Sequence, residues 1–109
     1  MKLVKWLGDS RKTVKAFPAA ARHQAGIELF AVQLGETPSD WKPMRPVGPG
    51  VNEMRIRVEG EHRVLYVAKF AEAIYVLHAF TKKTQATSLR DVSISRQRYR
   101  DMIAQRGHK

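Results

Sequence analysis

Near residue 51 the hydrophobic pattern changes period, and this change constrains the chain more than any other feature. Upstream, Ala20, Ile27, Phe30, Ala31 and Leu34 recur at spacings of three, four and seven, which places them on one face of a helix. Pro18 suits the first turn of that helix, where its missing N–H costs nothing, and Gly35 suits the C-terminal cap. Downstream, "NEMRIRV" alternates, with Met54, Ile56 and Val58 on one face and Glu53, Arg55 and Arg57 on the other. "HRVLYVAKF" and "AIYVLHAFTK" continue as two more strands joined around Ala71 and Glu72, so the three runs form a meander.

The remaining segments complete an α+β order of strand, two helices, three strands and helix. "VKW" at 4–6 reads as a short strand, and Asp9 or Ser10 in "GDSRKTVKAF" supplies an N-cap for a first short helix. "GETPSDWKPMRPVGPG" holds four of the five prolines and three of the seven glycines, so it reads as a structured loop rather than a helix or strand. In "TSLRDVSISRQRYRDMIAQRG", Ser88 and Asp91 stand at capping-box spacing, and Val92, Tyr99, Met102 and Ile103 form the apolar stripe of a helix ending near Gly107. The expected architecture is a small antiparallel sheet with two N-terminal helices and a C-terminal helix packed on it. A length of 109 residues with 43% apolar content supports one core, hence a single domain over residues 1–109.

Charge narrows the partners. Twenty Lys and Arg against ten Asp and Glu give a net charge of +10, which in so small a domain points to a polyanion, although a merely soluble basic protein has the same composition. The absence of cysteine removes disulfides, thiolate metal sites and a cysteine nucleophile, and fits a reducing cytosol. The apolar runs fall short of a membrane span, and the N-terminus lacks the apolar region of a signal peptide, so no membrane association is expected. No metal or other cofactor is expected either: His23, His62, His78 and His108 are scattered, Gly48 and Gly50 lack the Gly-Lys-Ser/Thr of a phosphate loop, and no nucleophile elbow is present.

Candidate chemistry gathers on the last two strands. With Ala71 and Glu72 as a two-residue turn, Phe70 faces Ala73, Leu65 faces His78 and Arg63 faces Phe80. Alternation then puts Arg63, His78, Phe80 and Lys82 on one face, at the hairpin end away from that turn. Arg55 and Arg57 join them with a three-residue connection around Glu59 to Glu61; a two-residue connection puts Met54 and Ile56 there instead.

Together, "WLGDSRKTVKAFP", "SDWKPMRPVGPGVNEMRIR" and "RVLYVAKFAEAIYVLHAFTKKTQATSLRD" closely resemble the phage-derived branch of the RelE/HigB toxin superfamily, from Lys5 to about Tyr99. The resemblance implies a RelE-like α+β fold and the toxin of a type II toxin–antitoxin system. It further implies an endoribonuclease that cuts mRNA, commonly on the ribosome, and a cognate antitoxin of HigA or Xre helix-turn-helix type. Related ParE toxins share the fold but poison DNA gyrase, so the fold does not decide between them. A basic nucleic-acid-binding module without catalysis is a further alternative.

RNA is cleaved without metal when its 2′-hydroxyl attacks phosphorus, given a base, an acid for the leaving 5′-oxygen and cations for the developing charge. Arg63 matches the family's strand arginine and can grip two phosphate oxygens, or else form an ion pair with Glu53 or Glu61. A free imidazole changes charge near neutrality, so His78 suits a base or acid, or else is a hydrogen-bonded structural residue. Lys82 and Lys83 stabilise charge, and one can donate a proton, or else they end a solvated strand. Tyr66 falls on the opposite face and reads as core. Trp41, beside Lys42 in the Pro-rich loop, either stacks on a base or packs beneath the loop. Arg96, Arg98 and Arg100 either meet ribosomal RNA or an acidic antitoxin segment, or form a solvent face.

Overall fold

In the computed structural model, which describes residues 1–107, the α+β class and the three helices are as expected, while the sheet has five strands instead of four and is mixed instead of wholly antiparallel. The strands are β1 Leu3–Trp6, β2 Trp41–Pro43, β3 Val51–Ile56, β4 His62–Val67 and β5 Ala73–Thr81. The helices are α1 Ser10–Lys15, α2 Ala19–Gln33 and α3 Leu89–Gly107. The sheet order is β1-β5-β4-β3-β2, antiparallel from β2 to β5, with β1 added in parallel to β5. The parallel pair is possible because residues 7–72, which hold both N-terminal helices and β2 to β4, separate the two strands by far more than a crossover needs. His108, counted above among the scattered histidines, lies outside the described residues.

Two apolar layers hold the helices in place. Met54, Ile56, Val64, Tyr66, Ile74 and Val76 pack under α1 and α2, so Tyr66 is core as expected. Leu65, Val67, Tyr75, Leu77 and Phe80 line the other face with Met102 of α3 and with Met44 and Val47 of the Pro-rich segment. Ser88 and Asp91 form the expected capping box: the Ser88 hydroxyl accepts from the Asp91 N–H at 3.1 Å and donates to its carboxylate at 2.6 Å. Among the described residues no helix is long and apolar enough to cross a membrane.

Three local expectations are corrected. In α2 the buried stripe is Ala21, Ala25, Leu29 and Val32, while Ile27, Phe30 and Leu34 are half exposed. Both stripes obey helical spacing; the small Ala21 and Ala25 let the backbone approach the sheet, and Glu28 on the buried side ties down the Ser39 N–H and hydroxyl. Within the presumed loop, Trp41–Pro43 forms strand β2, because Pro43 sits on a sheet edge where its missing N–H breaks no ladder. Finally, β4 and β5 are joined by residues 68–72 rather than by a two-residue turn. Val67 faces Tyr75 and Tyr66 faces Val76, and a bulge that adds Leu77 to β5 restores Leu65 opposite His78 and Arg63 opposite Phe80.

Candidate functional site

The connection between β3 and β4 decides which side chains meet. Residues 57–61 form a loop with Glu59 at φ 49° and Gly60 at φ 111°, and its odd length sets Arg55 opposite Arg63 and Ile56 opposite His62. The arginines therefore share the face of Arg63. The end of β5 folds against this loop, with the Lys82 N–H donating to the Glu61 carbonyl at 2.7 Å. The result is an open groove of about 520 Å³ lined by Arg57, Glu61, Arg63, Lys82, Lys83, Thr84 and Gln85.

Four of the residues singled out in the sequence, Arg57, Arg63, Lys82 and Lys83, thus line one groove. Lys42 lies opposite Glu53 on the same sheet face, one strand further out, whereas Trp41 lies opposite Met54 and so belongs to the face of α1 and α2. The two residues are adjacent in sequence and diverge because a strand alternates.

Arg63 is enclosed rather than presented. It is 1% exposed, and its guanidinium lies 3.5 Å from Glu53 and 2.9 Å from Glu61 while donating to the His62 carbonyl at 3.1 Å. Of the two alternatives for this residue, the ion pair is the arrangement present, and it involves both carboxylates. Glu53 is equally buried at 1% exposed; it accepts from the Thr87 hydroxyl at 2.9 Å and has Arg55 at 3.6 Å. Desolvation on this scale is sustained only because each buried charge faces an opposite one. Arg57 is 54% exposed, 3.1 Å from Asp40 and 3.9 Å from Glu61. The hydrogen bond from Arg63, with the nearby charges of Arg57 and Lys82, holds the Glu61 carboxyl below the usual carboxylate range.

His78 stands apart from the groove lining. Its ring stacks on Phe80 at 5.5 Å, Nε2 lies 2.7 Å from Asp91 of α3, and Nδ1 lies 3.3 Å from an Arg98 N–H. Arg98 also donates to the Leu77 carbonyl at 3.0 Å and to Asp9 at 2.9 Å, which holds the Asp9 carboxyl below its ordinary value. Asp9 does occupy the N-cap position of α1, but its side chain is drawn to Arg98 instead of the helix N–H groups. With Nδ1 accepting from a guanidinium, Nε2–H donates to Asp91, and the ring joins β5 to α3. Arg96 likewise serves structure: its Nε and Nη donate to the Pro46 carbonyl at 3.0 and 2.7 Å.

Sequence reasoning named Glu53 and Glu61 only as alternative ion-pair partners of Arg63 and passed over Asp40 and Thr87. Glu53, Glu61, Asp40 and Thr87 order the cations, and the signal available was the interleaving of acids and arginines across "NEMRIRVEGEHR". The model of the family described as phage derived protein Gp49-like (DUF891) matches residues 12–100. No curated protein matches the chain. The chain belongs to this phage-derived Gp49-like family, which lies within the RelE/HigB-like toxins.

Proposed function

We propose that the protein is the toxin of a type II toxin–antitoxin pair and cleaves mRNA in the groove at the end of the sheet. The observation that carries this reading is the convergence of Arg57, Arg63, Lys82 and Lys83 with one carboxylate, Glu61, around a groove open to solvent. A single RNA strand follows a cationic groove through its phosphates, and such contacts place a phosphodiester among groups able to move protons.

The reaction needs no group outside RNA and this side-chain set. Glu61, ionised at neutral pH, takes the 2′-hydroxyl proton as the 2′-oxygen bonds to phosphorus. The bond from phosphorus to the 5′-oxygen breaks, and that oxygen takes a proton from Lys82 or Lys83. Arg57 and the lysines stabilise the charge on the phosphoryl oxygens. The products carry a 2′,3′-cyclic phosphate and a 5′-hydroxyl. His78, engaged through both ring nitrogens, supports α3 in this scheme and takes no proton from RNA. Ribosome-bound message in the cytoplasm is the substrate, and a helix-turn-helix antitoxin of HigA or Xre type is the neutralising partner, as the family implies.

The test is brief induction without antitoxin, followed by mapping of RNA 5′ ends, beside a Lys82→Ala/Lys83→Ala variant. New 5′-hydroxyl ends within translated messages, lost in the variant, support the reading. Growth arrest with intact messages and damaged DNA would replace it with a gyrase-directed toxin. Salt-sensitive RNA binding without new ends would replace it with a simple binding module.

A further inference from the structure

Arg63 carries the same phosphate-gripping guanidinium as Arg57, yet at 1% exposed it offers no open face to a ligand. Its two carboxylate partners differ in exposure. Glu53 is 1% exposed, faces Nε of Arg63 and is held by the Thr87 hydroxyl, whereas the Glu61 side chain is 45% exposed, faces Nη2 and itself lines the groove. A carboxylate and a phosphate present similar paired oxygens to a guanidinium, so the position Glu61 holds against Arg63 is the one an RNA phosphate would take.

We propose that Glu61 is a built-in phosphate surrogate that caps Arg63, and that an RNA phosphate displaces it to complete the site. This inference rests on the ribonuclease reading and names how its substrate is admitted. Displacement has two consequences. Arg63 gains a phosphate oxygen in exchange for a carboxylate oxygen, so occupancy of the groove by a correctly placed backbone is what exposes it. The released Glu61 loses the hydrogen bond that depresses its pKa and becomes a better base for the 2′-hydroxyl. The cap thus ties proton-accepting strength to substrate binding. Nothing in the buried set needs to move: Glu53 continues to neutralise Arg63 at Nε.

The experiment measures binding of a fully 2′-O-methylated single-stranded RNA oligomer, which cannot be cleaved, at low salt. Three variants are compared with the natural chain: Glu61→Gln, Glu59→Gln and Lys82→Ala. Glu59 is exposed in the same turn and outside the contacts of Arg63, so it controls for the loss of one negative charge. Glu61→Gln is expected to tighten binding about fivefold, the upper range for an ion pair with one exposed partner, and Glu59→Gln by less than about twofold. Equal effects of the two substitutions, or weaker binding by Glu61→Gln, overturn the cap while sensitivity to Lys82→Ala preserves the groove. Binding indifferent to both Lys82→Ala and Glu61→Gln overturns the groove reading and the cap with it.

Discussion

Truncating Arg63 should damage the fold before it damages any chemistry. Arg63→Ala leaves Glu53 buried at 1% exposed, with Arg55 at 3.6 Å and the Thr87 hydroxyl as its remaining partners. Stranding one member of a buried ion pair costs about 3–5 kcal/mol, and the lower end applies here because Arg55 offsets part of the charge. A domain of this size has a total stability of roughly 5–15 kcal/mol, so about 3 kcal/mol removes a large share of it. In urea, with a slope of about 1.5 kcal/mol/M, the unfolding midpoint falls by about 2 M. The companion variant Glu53→Gln/Arg63→Met removes both charges and should recover most of the loss, since replacing a buried pair by neutral groups of similar volume is often close to neutral. A loss below about 1 kcal/mol in Arg63→Ala would refute the reasoning and show a guanidinium already hydrated and available. Until that midpoint is known, reduced toxicity in Arg63→Ala says nothing about catalysis.

The other predictions separate core, groove and surface. Leu29→Ala should cost about 2–5 kcal/mol in denaturant unfolding and Phe30→Ala no more than about 0.5 kcal/mol, reversing the order expected from their sizes, because only Leu29 is buried. Lys82→Ala should leave the urea midpoint unchanged and lower the slope of log affinity for single-stranded RNA against log salt by about 0.7, one phosphate contact; an unchanged slope would remove Lys82 from the groove's function. Glu72, held by Arg106 and then by the Tyr75 hydroxyl, has its carboxyl lowered from 4.5 to about 2. A depressed carboxyl contributes stability above its unfolded pKa and loses it below, so the melting temperature should fall as pH drops from 4.5 towards 2, and less steeply in Glu72→Gln.

Most of the fold was legible because two different hydrophobic periods cannot be satisfied by one kind of element. What stayed illegible was phase. Periodicity states that α2 has an apolar stripe, but Ala21, Ala25, Leu29, Val32 and Ile27, Phe30, Leu34 both qualify, and the larger side chains favour the wrong one. Burial here follows backbone approach, which alanine permits and phenylalanine blocks. The β4 to β5 pairing shows the converse: the opposed residues Leu65 with His78 and Arg63 with Phe80 were read correctly from an incorrect turn, because the longer loop and the added Leu77 compensate in parity.

The site divides at a boundary that strand alternation cannot see. Arg63 and His78 share a face, as alternation requires, but α3 and the segment leading into it cover that face unevenly, bringing Asp91 and Arg98 onto His78 while the groove opens at the strand ends. The position of a helix over a sheet depends on its cap and its packing residues, here Ser88, Asp91 and Met102, and leaves no mark on the strand beneath. A measurable separation follows. His78→Gln keeps one hydrogen-bonding contact towards Asp91 but not the ring stacked on Phe80, so it should cost about 1 kcal/mol in unfolding and leave affinity for the 2′-O-methylated RNA oligomer unchanged. Loss of RNA cleavage in His78→Gln at unchanged stability would return His78 to the chemistry and contradict the division of this face into a structural half and a cationic half.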